Sequence, residues 1–141
     1  LLAPGPLEAG GILDACRSLG VEVLAYSPLA LGVSARRPDW TPCNTTLLRS
    51  GLFRRLLPGS RPLRQAMADM ASERGVSQVQ VALNWCRAHG TCPIPGFRRA
   101  DQVEDARQAL SWELSDQERL QLDRLSLECP VRMPDNPFQS A

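Results

Sequence analysis

The sequence predicts an α/β fold made of consecutive parallel-strand units, and three observations carry this prediction. Two short apolar segments, residues 21–26 and 91–95, have the composition of buried strands. The segments around them carry apolar residues at helical spacing, in the order helix, strand, long loop, two helices, strand, helix and helix. Two strands alone would leave unpaired edges and a bare sheet face, so we expect the stable fold to contain more sheet.

Residues 12–19 are predicted to form the first helix, and residues 21–26 the strand that follows it. One face of the helix is apolar, and Gly20 is a favourable stop. The strand closes at Ser27, because the proline at position 28 keeps the residue before it out of the helical region. The residues of the helix predicted to point inward are Ile12, Cys16 and Leu19.

Residues 32–62 show no clear period and contain several prolines, so they are predicted to form a long excursion with a helical turn at 47–57. Loops of this length in compact domains are usually functional or poorly ordered. The next helix is predicted to begin near Pro62 and to stop at Gly75. Its inward residues are Leu63, Met67 and Met70.

The helix after Ser77 has the best local signals in the chain. Ser77 and Gln80 fit a capping box, and the apolar stripe ends at His89, followed by Gly90. A histidine at the C-terminal end of a helix is a routine helix terminus, so we assign His89 a structural role. The stripe consists of Val79, Ala82, Leu83 and Cys86.

Two more helices are predicted after the second strand, one at residues 102–110 and one opened by a capping box of Ser115 and Glu118. Within residues 91–95 the prolines weaken the strand prediction, since proline cannot donate to a ladder. The predicted inward residues are Val103, Ala106 and Leu110 in the helix at 102–110, and Leu122 and Leu125 in the helix opened by the capping box.

The composition excludes several classes of function. The 141 residues carry a formal charge of +1, whereas proteins that coat nucleic acid need a strong basic excess on one face. No run of about 18 apolar residues occurs, so no membrane span is predicted. The first residues lack a signal-peptide pattern, and residues 1–3 read as the tail of a hydrophobic segment, so we expect the chain to be a fragment.

The cysteines indicate a reducing compartment and no metal site. They number five, an odd count, and none forms a CxxC pair, which does not fit a disulfide framework. With His89 as the only histidine, a zinc site would need distant ligands. The five are Cys16, Cys43, Cys86, Cys92 and Cys129.

The chain contains no lysine, and all 16 of its basic residues are arginine. Arginine stays charged and forks onto phosphates and carboxylates, but rarely acts as an acid or base. The residues present therefore favour holding an anion over proton transfer. The paired arginines at 36–37 and 54–55 are interpreted as solvated loops.

The segment at residues 95–103 combines a strand end, Gly96, two arginines and the opening of a helix. Backbone amides at a helix start, close approach at glycine and the forked donor of arginine together can bind phosphate. An ordinary turn before a helix has the same sequence pattern, so both interpretations stand at this point.

A second candidate site lies at the carboxyl end of the first strand, where ligands gather in α/β folds. Tyr26, the only tyrosine, stands there. Packing at the rim is the ordinary role of such a ring, while its face could also stack on a flat heterocycle. No lysine or sequence-near base accompanies it, so we do not predict that it acts as a general acid.

Three segments, residues 20–32, 79–86 and 93–96, resemble in order and spacing the C-terminal half of the aldo-keto reductases. Residues 52–59 and 136–139 are most similar to the plant and algal plastid-type branch of that family. The resemblance implies the C-terminal part of a (β/α)8 TIM barrel, with residues 1–3 ending strand six. Strands seven and eight would be the two predicted strands. Such barrels take about 250 residues, so the chain would be incomplete.

The resemblance also implies a function, namely NADP(H)-dependent reduction of aldehydes and ketones to alcohols. Residues 1–129 would be part of the barrel domain and residues 130–141 a tail. The family's catalytic tetrad lies in its N-terminal half, so no catalytic residue is expected here, and the missing half-barrel becomes a partner. A small carbonyl substrate is expected, without nucleic acid or membrane. The location would be cytoplasmic or the plastid stroma, the latter by resemblance alone.

By resemblance, the loop after the first predicted strand contacts NADP. Tyr26 matches the aromatic residue that stacks on the nicotinamide, and Ser27, Leu29 and Gly32 match the loop that lines the pyrophosphate. Residues 34–37 depart from the commoner family pattern at this point, which puts the path of the loop in doubt.

The loop after the second strand supplies the other implied contacts. Pro95 and Gly96 match the cofactor loop, and Arg98 matches the contact to the 2′-phosphate. Gln102 and Asp105 match polar contacts near the adenosine. The family's asparagine near the adenine is replaced in this sequence by alanine at position 106.

These observations leave three hypotheses. The first is an enzyme whose cofactor-binding half is this chain. The second is a module that binds a nucleotide without turning it over, and the third is a structural fragment that associates with another half-barrel. Upstream coding sequence that contains the tetrad would favour the enzyme.

Overall fold

The computed structural model describes residues 2, 10–42 and 47–133, apart from the side chains of residues 48 and 49. Within these ranges there are two strands and six α-helices, in the predicted order except that a third helix also stands between the strands. The strands are β1 (Val23–Tyr26) and β2 (Thr91–Ile94). The helices are α1 (Ile12–Ser18), α2 (Leu47–Gly59), α3 (Arg61–Arg74), α4 (Gln78–Ala88), α5 (Ala100–Gln108) and α6 (Asp116–Glu128), with 3-10 turns at Ala30–Gly32 and Ala109–Ser111.

The two strands pair in parallel, which confirms the predicted α/β arrangement. Val23 lies opposite Thr91 at one end, and Tyr26 lies opposite Ile94 at the other. Since the strands end level, the chain leaves both of them from the same edge of the sheet. The predicted sixth strand at residues 1–3 falls largely outside the described residues, where Leu2 alone is seen and is buried.

The prediction that both strands are buried was wrong. Their residues alternate between half-buried and exposed, because successive side chains of a strand point to opposite faces. Ala25, on one face, packs against the core, whereas the other face is open among the described residues. This is the bare face that two strands were expected to leave. Its side chains are those of Leu24, Tyr26, Cys92 and Ile94.

The core lies among the helices beside the sheet. Helices α2, α3, α4 and α6 contribute most of it, and the segment after β1 adds buried residues of its own. Cys86 and Cys129 are buried in it as free thiols, while Cys43 lies outside the described residues. The side chains buried most completely include Val33, Phe53, Leu56, Leu63, Met67, Val81 and Leu122.

Helix α2 is the largest departure from the sequence prediction, which placed only a helical turn at 47–57. It runs for 13 residues with Pro58 inside its last turn. Burial of Phe53 and Leu56 explains why it forms without a clear period, because tertiary packing outweighs local pattern. Gly59 ends it where the chain passes closely, since a Cβ there would lie 2.6 Å from Cγ1 of Val131.

The predicted signals at helix ends are mostly confirmed. Gly75 ends α3 in the left-handed conformation, at φ 66°. The Ser77 hydroxyl accepts from the Gln80 amide at 3.2 Å, but the Gln80 side chain turns away, so only half of that capping box forms. Ser115 and Glu118 form a complete capping box at α6.

The inward faces predicted for residues 12–19 and 102–110, which correspond to α1 and α5, were wrong. In α1 the buried residue is Leu13, while Ile12 and Leu19 are exposed. Helix α5 begins two residues earlier than predicted, at Ala100, and Val103 and Leu110 are exposed. Among the described residues α1 buries only Leu13 and α5 buries no residue, so periodicity finds an apolar face without indicating what covers it.

His89 ends α4 as predicted, and its ring also joins a polar cluster between α4 and α6. The His89 Nε2 atom lies 2.8 Å from Oδ1 of Asp123, and the Trp85 indole N–H donates to the same oxygen at 2.7 Å. Arg119 donates to Oδ2 of Asp123 at 2.9 Å. The Trp85 and His89 rings meet edge to face. This cluster fixes the last helix against the rest of the fold.

Arg74 of α3 and Glu118 of α6 join these two helices. Two hydrogen bonds, of 2.8 and 2.6 Å, join the guanidinium to the carboxylate and lower the pKa of Glu118 to about 2. A depressed carboxyl pKa gives stability that is present above the unfolded value of 4.5 and is lost as the pH falls towards 2.

We therefore expect acid to weaken the fold in this window through Glu118. The free energy of unfolding should drop by about 1–2 kcal/mol between pH 5 and pH 2.5, a figure discounted for solvent screening of a partly exposed pair. Denaturant titrations at several pH values would measure this drop. Glu118→Gln should lower stability at neutral pH and flatten the profile, and an unchanged acid profile would contradict the assignment.

Across the described ranges, no helix combines the length and apolarity needed to cross a membrane. In the same part of the chain, no three His, Cys, Asp or Glu side chains gather closely enough to hold a metal ion.

Candidate functional site

Two loops leave the sheet side by side and form the candidate site. The register places Tyr26 beside Ile94, so the loop after β1 and the loop after β2 begin on neighbouring strands. In parallel sheets, ligands bind at this carboxyl edge. All nine predicted site residues lie in these loops, at the strand end or in the first turns of α5. The structure thus brings Tyr26 and the first residues of both loops together.

The loop after β1 has an unusual backbone. Ser27, Ala30 and Leu31 have φ values of 49°, 48° and 55°, and Gly32 follows at 96°. Left-handed backbone in residues other than glycine costs energy and concentrates at functional sites, where surrounding structure holds it. The loop is closed by bonds from the Ala30 amide to the Ser27 carbonyl, at 2.9 Å, and from the Gly32 amide to the Leu29 carbonyl, at 2.8 Å.

This loop continues into the core: residues 33–42 contain no helix or strand, as the sequence predicted, but two of them are buried. Leu29 packs against the core, and Val33 and Ser34 are buried. Two backbone carbonyls beyond them, those of residues 36 and 37, accept hydrogen bonds from the buried side chain of Arg64. At the start of the loop Ser27 and Leu31 are exposed while the residues between them are buried or half-buried, and the residues after Gly32 are fixed.

Sequence reasoning missed Arg64, although a signal was present. Arg64 shares a helical face with Met67 and Ala71, three and seven residues away, and both of these are buried. A charged side chain on an otherwise apolar face indicates a buried hydrogen-bonded group. The prediction of α3 treated only its apolar residues as inward.

The loop after β2 is exposed from Gly96 onward. Gly96 does not have left-handed backbone, and a Cβ at this position would meet nothing within 4 Å. Neither the turn nor crowding by described residues therefore requires glycine here. The space in front of Gly96 is open, as close approach of a ligand to the backbone requires.

The opening of α5 is organised by its own side chains. The Gln102 side chain accepts from the Arg98 amide at 2.9 Å, which fixes the loop at the helix start. Arg99 donates to both carboxylate oxygens of Asp101, at 2.8 and 2.7 Å, and this pairing lowers the pKa of Asp101. Backbone amides of the first turn also bond to the Asp101 carboxylate, so the helix start already holds one anionic group.

Arg98 is left as the net charge of this corner. Among the described residues, no carboxylate lies within ion-pair distance of its guanidinium, while Arg99 and Asp101 offset each other. The neighbouring Phe97 is also exposed. The arrangement presents a cation at a helix start beside an exposed aromatic ring, at a sheet edge that also carries Tyr26, which is 54% exposed.

Asp105 lies one turn further along α5 and already has partners. Its two carboxylate oxygens accept from the Ser77 hydroxyl at 2.8 Å and from the Gln80 side chain at 2.7 Å. Both partners stand at the start of α4. Asp105 therefore joins α5 to α4 in this structure, and its predicted contact to an adenosine stays a prediction.

Known proteins share this chain's sequence and fold. A profile described as the aldo/keto reductase family matches residues 3–127. A chloroplastic pyridoxal reductase of Arabidopsis thaliana is 42% identical over 129 residues, which are 92% of this chain and 35% of that protein. The aldo-keto reductase AMT2 of Alternaria alternata is 28% identical over 82% of this chain and 32% of its own length.

Solved structures agree in fold. The glycerol dehydrogenase AKR11B4 of Gluconobacter oxydans superposes with a TM-score of 0.64 at 25% identity, over 92% of this chain and 41% of that one. A thermostable aldo-keto reductase, Tm1743, gives 0.58 at 22% identity, over 81% of this chain and 33% of that one. The chain spans about a third of the length of the curated relatives it matches. Family profile, relatives and fold together show that this chain belongs to the aldo/keto reductase family.

Proposed function

We propose that this chain is the cofactor-holding part of an NADP(H)-dependent oxidoreductase that reduces aldehydes or ketones to alcohols. Its two strands would be the last two of a (β/α)8 barrel, with the bare sheet face turned towards the barrel interior. Membership of the family supports the reaction class, and the parallel pairing of β1 with β2 supports the placement in a barrel.

One observation carries the proposal: two loops at one carboxyl edge present an exposed aromatic ring and an arginine with no ion pair among the described residues. Phosphate groups bind at this edge of (β/α)8 barrels, after the seventh and eighth strands. The Arg98 corner fits a phosphate because a forked cation, a helix start without a side-chain cap from Arg99 and open space at Gly96 occur together. An ordinary turn before a helix would require none of these three features.

The groups of the dinucleotide can be assigned to residues along this edge. Tyr26 would lie against the nicotinamide, and the left-handed segment from Ser27 through Leu29 to Gly32 would line the pyrophosphate. Pro95 and Gly96 would border the cofactor, and Arg98 would bind the 2′-phosphate. Gln102 would act by holding the Arg98 backbone.

Asp105 would have to release one of its α4 partners to reach the adenosine. Both of its carboxylate oxygens are bonded to residues at the start of α4.

NADPH, when bound, supplies the hydride. The described residues hold and orient it, and we propose that the proton donor belongs to the part of the protein outside this chain. Because one relative is a pyridoxal reductase, pyridoxal is the first carbonyl substrate to test. That relative is a chloroplastic protein, which supports a plastid location over a cytoplasmic one.

The test is binding and turnover in the protein at full length. Titration with NADPH and NADH should show tighter binding of NADPH, and pyridoxal or simple aldehydes should be reduced at its expense. Binding without reduction of any carbonyl would favour a nucleotide-binding module. Binding of neither nucleotide would leave a structural role and would refute the proposal.

A further inference from the structure

We propose that Arg64 is a positioning residue for the cofactor loop: it clamps the far end of the loop after β1 and thereby holds residues 27–32 in their left-handed form. The inference rests on the proposed function, because it assigns a role in cofactor binding to a residue that does not touch the site. It starts from the burial of Arg64, which is only 2% exposed.

The guanidinium of Arg64 donates hydrogen bonds to three parts of the chain. Nη1 donates to the carbonyl of residue 37 at 2.6 Å and to that of residue 36 at 3.4 Å. Nη2 donates to the Leu57 carbonyl in the last turn of α2 at 2.9 Å, and Nε donates to the Ser60 hydroxyl at 3.3 Å. One side chain thus joins the loop, the end of α2 and the start of α3.

No carboxylate is paired with this buried guanidinium among the described residues. Its charge is met by carbonyl oxygens, and the end of α2 adds the negative pole of a helix. Burial lowers the pKa of Arg64, yet arginine stays protonated at any physiological pH. Burying a charge in this way is costly, so its bonds to the loop must hold firmly for the charge to be tolerated.

A second side chain ties the same part of the loop. Gln78, at the start of α4 and also buried, donates to the carbonyl of residue 36 at 3.5 Å and to the Arg64 carbonyl at 3.1 Å. The Arg36 side chain lies over the Trp40 ring at 4.5 Å, and Trp40 meets Phe53 of α2 edge to face. The loop is therefore fixed at residues 36–40 against three helices.

This clamp lies close along the chain to the strained residues. Only three residues separate Gly32 from the clamped segment, which begins at residue 36. Two of them, Val33 and Ser34, are buried, and the third is Ala35. With β1 fixing the loop at Tyr26 and Arg64 fixing it at residues 36 and 37, the intervening backbone has little freedom. Releasing the second anchor would let Ser27, Ala30 and Leu31 relax from conformations that cost energy.

The experiment removes the clamp without touching the site. In the protein at full length, Arg64→Met removes the guanidinium and keeps an apolar stem, and Arg64→Lys keeps a charge but not the fork. Gln78→Met removes the weaker tie and serves if the first variants fold poorly. Arg74→Met is the matched control, since Arg74 lies on the same helix but bonds to Glu118 on α6.

If the loop is competent in a tenth of Arg64→Met molecules, the Kd for NADPH rises about tenfold while kcat at saturating NADPH stays near the wild-type value. Amide hydrogen exchange at residues 30–37 should accelerate even without cofactor. Arg64→Lys and Gln78→Met should show smaller changes in the same direction. Arg74→Met should lower thermal stability and leave both loop exchange and Kd unchanged.

The outcomes separate the two proposals. If wild-type protein binds NADPH and Arg64→Met raises loop exchange without raising Kd, the positioning role is refuted and the proposed function stands. Equal effects of Arg64→Met and Arg74→Met on Kd would also refute it, because the loss would then follow general stability. If wild-type protein binds neither nucleotide, both proposals fall together.

Discussion

Arg98→Ala in the full-length protein is expected to weaken NADPH binding by about 10- to 100-fold, corresponding to the loss of a charged hydrogen bond of about 1.5–3 kcal/mol. NADH, which lacks the 2′-phosphate, should lose little. Binding titrations with both nucleotides measure the difference. The effect is large because, among the described residues, no carboxylate competes for this guanidinium.

Arg107→Ala is the matched control for this prediction. Arg107 lies in the last turn of α5, the helix that follows Arg98, and is also exposed, but its guanidinium is bonded to Glu104 at 2.9 and 2.6 Å. Its removal should leave both affinities unchanged. Equal losses of NADPH and NADH affinity in Arg98→Ala would overturn the assignment of Arg98 to the 2′-phosphate.

The second large effect concerns stability at Asp123. Asp123→Ala should lower the free energy of unfolding by about 3 kcal/mol, because partly buried donors on Trp85 and Arg119 lose their acceptor together. The His89 ring loses the same partner. Chemical denaturation followed by tryptophan fluorescence would report both the loss and the change around Trp85.

Asp116→Ala provides the comparison on the same helix. Asp116 meets Arg119 at 3.6 Å, but its side chain is 95% exposed, so its removal should cost at most about 0.5 kcal/mol. Similar losses in the two variants would show that the cluster around Asp123 contributes no more than a surface ion pair.

The sequence was most informative where structure is local. The left-handed stop at Gly75 and the capping box of Ser115 and Glu118 were found where predicted. These signals depend on a few neighbouring residues and need no knowledge of the fold. The parallel order of strands and helices followed from the same local patterns.

Features set by distant contacts were not predictable in this way. Helix α2 forms because Phe53 and Leu56 are buried by other elements, and the spacing of its apolar residues does not predict a helix. The apolar faces of α1 and α5 were misassigned at Ile12 and Leu110, since the period alone does not say which residues find partners. The exposed strand faces have the same origin.

For the candidate site, the family resemblance identified residues that the structure then placed at one sheet edge. Pattern alone had left the Arg98 corner undecided between a phosphate site and a turn. The structure added what the sequence did not contain, namely the pairing of Arg99 with Asp101 and the open space at Gly96. It also showed both oxygens of Asp105 already bonded to α4.

The left-handed run after β1 has a thermodynamic consequence. Its strain is sustained by the core that buries Val33 and Ser34, so loop and core should open as one cooperative unit. A ligand that settles on the exposed part of this loop would then protect residues deep in α2 and α3 by mass action. The melting temperature of the helical core would then be the most sensitive measure of ligand bound to the loop after β1.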